Sequence, residues 1–215
     1  AQTLTWRDAA PMHVPRRDFS SVLLPTRRVL VVGGGAGVEA VPGWAEHAAA
    51  PEAYDATADR WTLLAPSSVH RGYHSTAILL PDGRVLASGG DFELGVGATP
   101  ALAHTGEVFS PPELFRGPRP TISWTEPQWD LGAAKTVRTP DAASVAAVHL
   151  VRLSSVTHSL NTDQRVVPLA FERAGPSTLV ARVPADAGAA PPGWYMLFLV
   201  SGEGVPSVAR MVHVG

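Results

Sequence analysis

Two short stretches hold the side chains with chemical potential. The first is Arg71-Gly72-Tyr73-His74-Ser75, a phenol beside an imidazole at the entrance to an apolar run. The second is Thr157-His158-Ser159-Leu160-Asn161-Thr162-Asp163-Gln164-Arg165, a polar stretch between apolar ones. Spacing alone makes neither a site. Successive strand residues point to opposite faces, so Tyr73 and His74 can share a ligand only where the backbone is irregular. The position just before the run Thr76 to Leu80 allows that. In the second stretch Asn161, Thr162 and Asp163 favour local side-chain-to-backbone bonds, which can stiffen a loop and present His158. On residue type alone, an aromatic pair entering a strand is more often packing than a site. The chain has no cysteine. That removes disulfides, thiolate metal ligands, a cysteine nucleophile and any thioether built from this chain.

The elements that must position these residues are read from a repeat. Ser20 to Gly34 and Thr76 to Gly90 align at an offset of 56 residues. Each copy is an apolar strand, a tight turn, a second apolar strand and a Gly-Gly. Pro81-Asp82-Gly83 makes the second turn: proline fixes φ and glycine accepts φ > 0. A third strand follows in each copy, Glu52 to Asp55 and Glu107 to Ser110, and Arg60-Trp61-Thr62 closes the first copy. Leu4-Thr5-Trp6 reads as the closing strand of an earlier copy. A repeat of this length, with four strands and a Gly-Gly after the second, resembles the kelch type of β-propeller blade. The expectation is two four-stranded blades over residues 1–115, side by side, too few to close a ring.

The pattern changes at Gly117-Pro118-Arg119-Pro120. Seven short β-rich runs follow: 121–124, 136–138, 143–153, 165–171, 178–183, 193–200 and 209–214. Such a series predicts an immunoglobulin-like β-sandwich over residues 116–215. The fold class expected is therefore all-β, a partial kelch propeller followed by an immunoglobulin-like sandwich, which the family resemblance below narrows to an early-set domain. The composition agrees: 45% hydrophobic, 17% charged, with 20 glycines and 20 prolines among 215 residues suiting many short strands and turns. A net charge of -2 without a basic patch argues against nucleic acid as a partner. No apolar run reaches the roughly 18 residues of a membrane span.

The Tyr-His that opens a strand ending Leu-Leu-Pro-Asp-Gly-Arg-Val is one part of a wider resemblance. The others are Phe109-Ser110-Pro111-Pro112-Glu113-Leu114-Phe115 and the Thr-His-x-x-Asn-Thr-Asp-Gln-Arg stretch with Pro168-Leu169. Together they resemble the C-terminal part of the copper-radical oxidases, the galactose oxidase and glyoxal oxidase family. The resemblance implies a hairpin of the sandwich reaching up the propeller axis. It implies Tyr73 as the axial tyrosine that accepts the substrate hydroxyl proton, and His74 and His158 as equatorial ligands of Cu(II). Imidazole and phenolate donors suit that ion.

The implied reaction is oxidation of a primary alcohol or aldehyde by O2, with hydrogen peroxide as the other product. Its substrates would be small alcohols, aldehydes or carbohydrates. The family's radical tyrosine is cross-linked to a cysteine, and neither partner is encoded here. The chain alone is thus expected to be inactive, with the remainder of the site on missing N-terminal blades or a partner chain. Trp44, in the loop after Gly33-Gly34-Gly35, is a candidate substrate contact. The resemblance also implies a secreted or cell-surface location. The alternative reading is a non-catalytic kelch plus early-set module that binds a glycan or a protein.

The remaining aromatic residues read as structural. Histidines 13, 47, 70, 104, 149 and 213 carry no motif and read as surface or turn residues. Trp6, Trp61 and Trp194 read as core. Trp124 and Trp129 read as packing between the domains.

Overall fold

The computed structural model describes residues 5–35, 50–92 and 101–215. All its regular elements are strands except one short 3-10 helix, Pro112–Phe115. The first sheet runs β1 (Ser20–Leu23), β2 (Val29–Val32), β3 (Glu52–Asp55), β4 (Arg60–Leu63), in sequence order and antiparallel. The second contains β5 (Ser75–Leu79), β6 (Val85–Gly89) and β9 (Gly106–Phe109), with a small hairpin, β7 (Asp91–Phe92) and β8 (Ala101–Leu102), between β6 and β9. The innermost strands of the two sheets, β1 and β5, lie against each other.

The second copy differs from expectation in having three strands among the described residues. Where a fourth strand would start, Pro111 and Pro112 lead into the 3-10 helix. Proline has no N–H for a ladder, so the sheet stops at β9. Thr5 and Trp6 form no strand, and Trp6 is fully exposed rather than core.

Eight of the later strands form one continuous sheet in the order β10-β12-β17-β16-β13-β18-β19-β11. These are β10 (Trp124–Thr125), β11 (Gln128–Trp129), β12 (Ala134–Arg138), β13 (Val145–Arg152), β16 (Val166–Gly175), β17 (Thr178–Arg182), β18 (Gly193–Ser201) and β19 (Arg210–Val214). The sheet curls into two layers because β16 serves both: Val166 to Leu169 pair with β13, and Ala170 to Gly175 pair with β17. Between the layers lies a core that includes Trp129, Leu150, Leu179, Tyr195, Leu197 and Val212. Trp129 therefore packs inside the sandwich, its indole N–H donating to the Glu126 carbonyl. Trp124 is half-exposed on the edge beneath the Arg138 guanidinium, and Trp194 is half-exposed too. Trp194 is thus outside the core that sequence reading gave it, and Trp124 is not buried between the domains as expected.

The outer face of the sandwich supplies the fixed platform for the blades. Val151, Met196 and Phe198 share one buried cluster with Val22, Leu24, Leu30, Ala77, Leu79 and Val85. Full burial of each such side chain is worth about 1.5–3 kcal/mol, so blades and sandwich dock through a genuine core.

His149 adds a polar link across the same junction, contrary to its reading as a surface or turn residue. It is buried on β13, and its Nδ1 lies 2.7 Å from the Pro25 carbonyl in the β1–β2 turn. Burial holds this imidazole below the usual histidine range, the Pro25 carbonyl opposes that, and the Arg27 charge adds to it. The unfolded chain, with a histidine pKa of about 6.5, then binds the proton first. The stabilisation is complete above about pH 6.5 and is lost as pH falls through that value toward the folded one. We expect the melting temperature to fall between pH 8 and pH 5, and His149→Asn, which keeps a donor for Pro25, to show a shallower fall. An unchanged slope in thermal melts of the variant would contradict this assignment.

Candidate metal centre

Tyr73 and His74 sit at the irregular entrance to β5. The chain reaches them from Arg71, whose buried guanidinium donates to the Gly89 carbonyl (2.9 Å) and the Thr105 hydroxyl (3.0 Å) and pairs with Glu107 (3.4 Å). The Arg71 carbonyl accepts from the Gly34 N–H at 2.8 Å. Both Gly-Gly pairs have positive φ, and both crowd this segment. A Cβ on Gly33 would lie 2.3 Å from the Arg71 carbonyl oxygen, and one on Gly90 would lie 3.3 Å from the Arg71 Cα. The glycines thus let the backbone approach that Tyr73 and His74 require.

The first blade repeats the arrangement. Arg16 donates to the Gly33 carbonyl (2.9 Å) and to Glu52 Oε1 (3.0 Å), with both side chains fully buried. Burial pushes the Glu52 carboxyl up, but hydrogen bonds from His13, Arg16 and Val14 outweigh it and hold the group low. Sequence reading missed this pair of arginines. Their signal was available: an Arg before each Gly-Gly and a Glu after it, in both copies.

His158 stands at the tip of a hairpin, β14 (Val156–Thr157) and β15 (Leu160–Asn161), where sequence reading placed a polar loop. His158 (φ 51°) and Ser159 (φ 60°) form its two-residue turn. Positive φ at both central positions is what a type I′ turn demands. Asn-Gly is the usual occupant, so His-Ser gave no hairpin signal, and each non-glycine there costs of order 1 kcal/mol. His74 (φ 60°) is strained in the same way.

The rest of the motif supports that hairpin. Asn161 and Thr162 tie its base to Ser154 and Ser155. Asp163 accepts from Arg152 at 2.8 Å, and Arg165 holds the carbonyls of Gly188 and Ala189. Gln164 accepts from the Leu23 N–H (2.7 Å) and donates to the Ser21 carbonyl (2.8 Å). It therefore pairs with the free edge of β1 as a strand would. The hairpin is left with β15 against β1 and β14 against β5.

The outcome is a three-ring cluster drawn from both halves of the chain. The ring centroids of Tyr73 and His74 are 3.9 Å apart, Tyr73 and His158 6.2 Å, and His74 and His158 6.0 Å. His158 follows His74 by 84 residues, so this proximity is tertiary. A metal–imidazole bond of about 2 Å puts the ring centroid about 3 Å from the metal, so two ligating rings stand at most about 6 Å apart. The histidine pair meets that limit. Tyr73 is 41% exposed, so its phenol can be reached from outside. Among the described residues no group of three His, Cys, Asp or Glu could hold a metal. A metal here depends on the phenol as third donor and on groups beyond it. Trp44 lies outside the described residues.

Residues 119–214 match the model of the "Galactose oxidase-like, Early set domain", and residues 2–96 match that of the "Glyoxal oxidase N-terminus". Galactose oxidase of Gibberella zeae is 33% identical over 94% of this chain and 30% of its own length. Aldehyde oxidase GLOX of Vitis pseudoreticulata is 35% identical over 90% of this chain and 40% of its own length. A fungal alcohol oxidase of the AA5 family, solved in complex with copper, superposes with a TM-score of 0.83 at 31% identity, over 97% of this chain and 44% of that one. The chain thus spans less than half the length of these relatives. The two family models together account for nearly all of it, and the chain belongs to the galactose oxidase and glyoxal oxidase family.

Proposed function

We propose that this chain carries part of the copper centre of an oxidase acting on primary alcohols or aldehydes. The observation that carries the reading is the meeting of His74 and His158 at 6.0 Å, both on left-handed backbone, with the Tyr73 ring against them. Two imidazoles and a phenol fit Cu(II). Bound there, copper would supply one electron acceptor for a reaction in which RCH2OH and O2 give RCHO and H2O2. His74 and His158 hold the metal's position, each fixed by its turn. Tyr73 Oη takes the substrate hydroxyl proton. The second acceptor, a cysteine-linked tyrosine, would come from outside these residues, which contain no cysteine. Trp44 would contact the substrate, and the whole enzyme would be secreted or at the cell surface.

The chain alone should therefore bind Cu(II) weakly and release no peroxide. Its three donors are open to water, which competes for the ion and screens its charge. The assay is peroxide release from galactose, glycerol and glyoxal-type substrates after copper loading and mild oxidation. Copper-dependent turnover by this chain, lost in His158→Ala, would show that the second acceptor lies within it after all.

A further inference from the structure

We propose that Thr157 is a positioning residue that reserves Nε2 of His158 for the metal by occupying Nδ1; the inference rests on the copper reading above. Thr157 Oγ1 lies 2.6 Å from His158 Nδ1. That leaves no room for a metal at about 2 Å on the same nitrogen. Nε2 has no hydrogen-bond partner among the described residues. Two features hold the pair in place. Thr157 is β-branched and sits on a paired strand, opposite Leu160, so its χ1 is restricted. His158 is fixed on left-handed backbone at the turn (φ 51°).

A neutral imidazole bound through Nε2 carries its proton on Nδ1, so the Nδ1–H donates and the threonine hydroxyl accepts. A metal-bound histidine commonly donates its second ring N–H to a fixed acceptor, which sets the tautomer and ring orientation. Here the neighbour in sequence provides that acceptor. Ser159, the other turn residue, is buried, and its hydroxyl finds no partner among the described residues.

The test compares the full chain with Thr157→Val, which keeps the shape and loses the hydroxyl, and Thr157→Ser, which keeps the hydroxyl. In the metal-free chain, compared at one fixed pH of about 8.5, well above the ordinary histidine range, the 15N shift of His158 Nδ1 should move in Thr157→Val and hold in Thr157→Ser. With Cu(II) alone as probe, Thr157→Val should lose about 10–100-fold in affinity. The quadrupole coupling of the remote His158 nitrogen should change with it, and Thr157→Ser should restore both. A Nδ1 shift indifferent to Thr157→Val, or copper bound through Nδ1, would overturn the proposal. Failure of the unaltered chain to bind Cu(II) would count against the copper reading, while the metal-free 15N comparison would still decide the Thr157–His158 contact.

Discussion

Gly33→Ala should unsettle the candidate centre although Gly33 belongs to neither of its motifs. The added Cβ would sit 2.3 Å from the Arg71 carbonyl oxygen, a backbone atom that cannot swing aside, at a residue with φ +70°. Left-handed backbone costs a residue with a Cβ about 1–2 kcal/mol. The shift also stretches the Gly34–Arg71 hydrogen bond, 2.8 Å long and worth about 1 kcal/mol net. Together these give about 3 kcal/mol, or about 10 °C of melting temperature for a chain of this size. The damage falls two residues before Tyr73, so Cu(II) affinity should drop as well. Gly117→Ala is the control. Nothing lies within 4 Å of its Cβ, and it should stay within about 0.5 kcal/mol. Thermal melts of the two variants that coincide would refute the clamp.

That clamp shows what the sequence revealed and what it hid. The strand–turn–strand–Gly-Gly repeat was legible because every part of it is local: alternating apolar runs, a Pro-Asp-Gly turn and two left-handed glycines. The curl of the sandwich was less legible. It depends on β16 running on to Gly175, past the apolar stretch, through the exposed Glu172 and Arg173. The His158 hairpin was implied by the motif resemblance but not by its own turn residues. Its turn takes His-Ser where turn chemistry favours Asn-Gly, so packing against β1 and β5 overrides the local preference. Gln164 was hidden: nothing in a polar loop marks one amide as the partner of a strand edge 141 residues away. Tyr73, His74 and His158 were named from motif resemblance, and their convergence is a property of the shared blade–sandwich core.

The second large effect concerns the copper itself. Removal of either imidazole should weaken Cu(II) binding by more than the roughly 10–100-fold typical of losing an outer-shell partner. His74→Ala and His158→Ala should do so equally if the two rings share one ion, as their 6.0 Å centroid separation, at the limit of about 6 Å for such sharing, allows. His213, whose ring packs edge-on against Trp194 at 5.3 Å, is the control, and His213→Ala should leave affinity unchanged. The most direct measurement is pulsed electron paramagnetic resonance of the chain with less than one equivalent of Cu(II), counting the imidazoles coupled to the metal. The account predicts two in the unaltered chain, one in His74→Ala and one in His158→Ala. A single imidazole in the unaltered chain, or two that survive either substitution, would contradict it.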